Sequence, residues 1–72
     1  MVKIKTNCFK LSETRIRLGM SVNELSKAAG VTRQAIYSLE AGIMNPTPAT
    51  AKKITKTLNI KFDDIFSLVE GE

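Results

Sequence analysis

The sequence predicts an all-α fold: five short helices packed as a compact bundle, one domain over residues 1–72. Three observations carry that expectation. Ser21, Thr32 and Thr47 stand where helices should start, with side-chain oxygens able to cap free N–H groups. Gly30, Gly42 and Asn59 stand where helices should stop. Between these marks apolar residues recur at three- and four-residue spacing.

Taken in order, Met1 to Thr6 reads MVKIKT, alternating apolar and basic residues. It is either a short edge strand or a loose basic arm, and six residues leave both readings open. A first helix is expected over Asn7–Leu18, capped by Thr6 or Asn7. Leu11, Arg15 and Leu18 fall on one face, with Ile16 close by. Arg15 is the oddity there, because an unpaired buried charge is expensive and calls for a partner.

The stretch that organises the chain is Ser21 to Gly42, SVNELSKAAGVTRQAIYSLEAG. Ser21 with Glu24 three residues on makes a capping box, and Met20 and Leu25 are placed as a hydrophobic staple. Gly30 supplies a left-handed turn that stops this helix. Thr32 caps the next, with Val31 and Ile36 as its staple pair. On that second helix Ile36 and Leu39 point one way. Arg33, Gln34, Tyr37, Ser38 and Ala41 share the opposite face, which carries no carboxylate.

Asn45 and Pro46 then mark a turn. Thr47 caps a fourth helix that runs to about Leu58, and Pro48 fits its first position. Ala51, Ile54 and Leu58 form its buried stripe, while Lys52, Lys53 and Lys56 are solvated. A fifth short helix is expected over Phe62–Leu68, with Asp63 and Asp64 at its positive N-terminal end.

Composition narrows the function. Eleven basic against seven acidic residues give a net charge of +4. The bases Lys3, Lys5, Lys10, Arg15, Arg17, Lys27 and Arg33 lie in the first half, whereas Asp63, Asp64, Glu70 and Glu72 lie at the end. A basic balance favours a polyanionic partner. With no His and a single Cys, the usual catalytic bases, nucleophile pairs and metal-ligand clusters are missing, so neither an enzyme nor a cofactor is expected. Cys8 reads as a small packed residue of a protein kept in a reducing cytoplasm. No run approaches the length of a membrane-spanning helix.

At Ser21–Gly42 and its flanks the chain resembles the phage repressor/Cro, or XRE, helix-turn-helix family. The resemblance covers roughly residues 9 to 66. It is carried by Arg15, Gly19, Met20, Ser21, Leu25, Gly30, Val31, Thr32, Arg33, Gln34, Ile36, Leu39, Glu40, Gly42, Asn45 and Pro46. Fixed turn glycines, caps and core positions all agree. Three positions depart from the family pattern: Val22 replaces a usual Gln that contacts DNA, Thr14 replaces a core Leu, and Ser26 replaces a small Ala.

The resemblance implies a lambda-repressor-like bundle and a structural ion pair between Arg15 and Glu40. It also implies sequence-specific binding of double-stranded DNA, with the second motif helix in the major groove. Gln34 and Arg33 would then read base edges, with Ser38 and Tyr37 as adjuncts. Ser21, Asn23, Thr32, Asn45 and Thr47 would contact phosphates. A chain this short leaves no room for a separate ligand-sensing domain, so no small-molecule ligand is expected. The mode of action would be that of a small Cro-like repressor.

One recognition helix reads only a few base pairs, so a homodimer on a near-palindromic operator is expected. Phe62, Ile65, Phe66, Leu68 and Val69 offer the dimer seam. The alternative is a protein-interaction module, such as an antitoxin-like or antirepressor partner, that keeps the fold. Val22 in place of Gln gives that reading its weight.

Overall fold

Every main helix begins at the side chain that the sequence marks for it. The structure is a computed structural model that describes residues Met1 to Gly71. Glu72, counted above with the acidic end, lies outside the described residues. The element order is β1 (Val2–Thr6), α1 (Cys8–Arg17), α2 (Val22–Ala29), α3 (Arg33–Glu40), α4 (Pro48–Leu58), α5 (Phe62–Ile65) and β2 (Phe66–Glu70).

Asn7 caps α1, its Oδ1 accepting from the Lys10 N–H at 3.1 Å. Thr6 is therefore the last strand residue and not the cap. Ser21 and Glu24 close the capping box of α2: Ser21 Oγ accepts from the Glu24 N–H at 3.0 Å, and Glu24 Oε1 from the Ser21 N–H at 2.9 Å. Gly30 ends α2 at φ 72° and ψ 32°, a conformation that costs an L-residue but not glycine. Thr32 and Thr47 cap α3 and α4 through their hydroxyls. Asn59 takes the left-handed position after α4, at φ 56°.

One core forms where the helices meet. Leu11, Leu25, Ile36, Leu39 and Ile54 are fully buried at its centre, and Ala51 and Leu58 complete the stripe of α4. Ile16 and Leu18, placed by the sequence on or beside the inner face of α1, are instead exposed. The helix stops at Arg17, so Leu18 becomes its C-cap and leaves that face. Cys8 packs where α1 begins, its Sγ 3.3 Å from the Leu39 carbonyl oxygen.

The C-terminal segment corrects the expected helix over 62–68. Asp64 folds back on the Lys61 N–H at 3.0 Å, α5 makes a single turn, and the chain becomes extended at Phe66. β2 then pairs antiparallel with β1, Phe66 opposite Thr6 and Leu68 opposite Ile4. The reason is backbone satisfaction: the MVKIKT strand needs a partner for its N–H and C=O groups, and this tail supplies it. The expected dimer seam changes accordingly. Ile65 and Phe66 are each only 2% exposed and belong to the core of the single chain. Phe62 is half-buried. Leu68 and Val69 are exposed, but as strand neighbours they point to opposite faces of the sheet.

Candidate nucleic-acid interface

Helix α3 is anchored on one side and open on the other. Ile36 and Leu39 are buried, so the face they leave outward is fixed by helix geometry. Arg33 and Gln34 are exposed in the first turn, and Tyr37 is 54% exposed one turn further. Together they place a guanidinium, a side-chain amide and a phenol on one solvent-facing ridge.

Ser38 is a correction. The sequence places it on the outer face, but it is 8% exposed. It sits about 100° from Leu39 around the helix, at the edge of the buried arc, and is small enough to be covered. It lies about 40° from Gln34 on the same helix, yet is covered where Arg33, Gln34 and Tyr37 are exposed.

The expected phosphate-contacting residues stand around this ridge in two groups. Ser21, Asn23 and Thr32 are exposed at the starts of α2 and α3. The hydroxyl oxygens of Ser21 and Thr32 both accept cap hydrogen bonds; this leaves the Thr32 O–H free to donate outward, whereas the Ser21 hydroxyl is also engaged with the Glu24 carboxylate. Asn45 and Thr47 are exposed in and after the loop that follows α3. Thr47 Oγ1 also lies 3.1 Å from Thr50 Oγ1, so it is more fully engaged. The Glu24 carboxylate, the nearest acid in sequence to this surface, is held below its ordinary pKa by the backbone and side-chain hydrogen bonds it shares with Ser21. Its charge is spent on the α2 N-terminus.

What orients α3 is an ion-pair network at its C-terminal end. Arg15 Nε lies 2.8 Å from Glu40 Oε2, and Nη2 lies 3.1 Å from Oε1. Arg15 Nη1 also donates to the Met20 carbonyl at 2.8 Å, tying the link between α1 and α2 into the same network. Ser12 Oγ donates to Glu40 Oε1 at 2.6 Å. The Glu40 hydrogen bond raises the pKa of Arg15, and burial works against it. Sequence reasoning missed Ser12. The available signal was its position three residues before Arg15, which puts both side chains on one helix face.

Val22, where the family pattern has Gln, is half-buried and packs against the core. Thr14 turns its hydroxyl onto the Lys10 carbonyl at 2.8 Å, and Ser26 onto the Asn23 carbonyl at 2.8 Å. Both departures are accommodated by local hydrogen bonds. Among the described residues no helix is long and apolar enough to cross a membrane.

Comparison with known proteins agrees with this geometry. The HTH_3 helix-turn-helix family model matches residues 11–65. An HTH-type transcriptional regulator of Archaeoglobus fulgidus is 40% identical over 63 residues, covering 88% of this chain and 89% of its own. The HTH-type transcriptional regulator YgzD of Bacillus subtilis is 39% identical over 61 residues, covering 85% and 92%. The crystal structure of the restriction-modification controller protein C.AhdI from Aeromonas hydrophila is alike in fold, with a TM-score of 0.75 over 79% of this chain and 86% of that one, at 24% identity. The chain thus belongs to the HTH_3 helix-turn-helix family of non-enzymatic, DNA-binding transcriptional regulators.

Proposed function

We propose that this regulator acts by occupying a near-palindromic operator as a homodimer in the cytoplasm, repressing transcription sterically. The observation that carries this reading is the ridge of α3. Arg33, Gln34 and Tyr37 are exposed together on a helix whose inner side is fixed by Ile36 and Leu39. In the major groove Gln34 would bond adenine through two hydrogen bonds, and Arg33 guanine or a phosphate. Tyr37 would border the same bases. Ser21, Asn23, Thr32, Asn45 and Thr47 would hold the backbone and set the register.

A protein-interaction module is the second reading, and Val22 favours it. Its apolar side chain, packed on the core, offers DNA no polar group at the start of α2. Against that, the α3 ridge carries no acid.

Binding to a selected duplex, measured as a function of salt, separates the two. A DNA-binding regulator loses affinity linearly in log salt, with a slope that counts phosphate contacts, and prefers its selected site over random duplex. An interaction module shows no such preference at any salt concentration.

A further inference from the structure

The inner face of the terminal sheet outruns the helices that cover it. Three cross-strand pairs line that face: Thr6 with Phe66, Ile4 with Leu68, and Val2 with Glu70. Phe66 is in the core and Ile4 is covered. Leu68 and Val2, on the same face, are each 64% exposed. They turn toward the body of the molecule but overhang it, and with Pro46, Pro48 and Lys52 they bound an open cleft of about 650 Å³.

Two charges mark this region. Lys52 lines the cleft, and Glu70 stands opposite Val2 at the end of the overhanging face. Among the described residues the ion pairs are Lys10–Glu13, Arg15–Glu40 and Arg17–Glu13, so neither Lys52 nor Glu70 has a partner there.

We infer that this cleft seats the overhanging sheet of a second copy of the chain about a two-fold axis, with Lys52 of each copy facing Glu70 of the other. The apolar pair Val2 and Leu68 matches the apolar walls. The acid at the end of the overhang matches the base in the cleft. A two-fold axis makes every such contact twice, so one complementary pair of charges closes both ends of the interface. Strand stability points the same way. A two-stranded sheet is marginal in water unless one face is packed, and half of this face is open in the single chain. The inference rests on the proposed operator-binding dimer; of the expected seam residues Phe62, Ile65, Phe66, Leu68 and Val69 it keeps Leu68 and adds Val2, Lys52 and Glu70.

The test is sedimentation of the whole chain without DNA, comparing wild type with Lys52→Glu, Glu70→Lys and the double variant. Both residues are exposed, and circular dichroism melts confirm that each variant is folded. Each single reversal sets like charges together twice and should raise the dimer dissociation constant about tenfold or more. The double variant should restore it. Leu68→Ser should weaken the dimer without any charge change.

Single variants that dimerise like wild type, or a double variant no better than the worse single, overturn the inference. A chain that binds a half-site duplex yet stays monomeric also overturns it, while leaving DNA recognition intact. A chain with the restored double variant but no affinity for any duplex supports the seam and contradicts the operator reading.

Discussion

Arg15 and Glu40 meet through two hydrogen bonds, of 2.8 and 3.1 Å, across the gap between α1 and the C-terminal end of α3. Their side chains are only 13% and 12% exposed. Removing one partner strands a mostly buried charge, so Arg15→Ala and Glu40→Ala should each cost about 3 kcal/mol of stability. The double variant should lose less than the sum, because the two residues share one interaction. Ser12→Ala should cost about 1–2 kcal/mol through the bond to Glu40. Denaturant unfolding of wild type and the four variants checks this, and two mild, additive losses would show that the charges act independently.

Glu24 gives a pH dependence with a definite sign. Its pKa lies below the ordinary value of 4.5 in the folded state, because Ser21 donates to the carboxylate. The stabilisation is fully present above that ordinary value and is lost as pH falls through the lower folded one. Glu24→Gln removes the titration, so the acid side of its stability profile should be flatter than that of wild type. Thermal melts from neutral pH down to about pH 3 read the difference, and parallel profiles would show that the capping box is not populated in solution.

Thr6 Oγ1 is buried and has no hydrogen-bond partner among the described residues. A stranded hydroxyl costs stability that a methyl group of the same shape does not. Thr6→Val should therefore stabilise the chain by about 1 kcal/mol, which in a domain of this size raises Tm by roughly 4–8 °C. A lower Tm would mean that the hydroxyl finds a partner in solution.

How far the sequence reaches depends on whether a feature is local. The caps at Ser21, Thr32 and Thr47 and the left-handed positions at Gly30 and Asn59 are decided within a few residues, and each is read correctly. The Arg15–Glu40 pair is long-range and came only through family resemblance, yet the structure forms it. The stretch from Phe66 was misread because its conformation depends on a partner about sixty residues away. Its own pattern, FSLVE, has no decisive helical or strand period. Once the chain leaves the helix at Phe66, Leu68 and Val69 lie on opposite faces of the sheet, and only Leu68 stays on the face that carries Phe66. Ser38 is less exposed than its place on the outer face implies, because helical spacing gives an angle and burial is set by the packing of other elements.

The central claim is that the outward ridge of α3 reads bases through Gln34. Selection from randomised duplexes, run in parallel on wild type, Gln34→Ala and Ser38→Ala, tests it most directly. Gln34→Ala should lose about 1–3 kcal/mol on the wild-type site and relax preference at one base position per half-site. Ser38→Ala, altering a covered residue, should keep the wild-type preference. A Gln34→Ala protein that selects the same sequence as wild type, or that weakens equally on every duplex, would contradict the account.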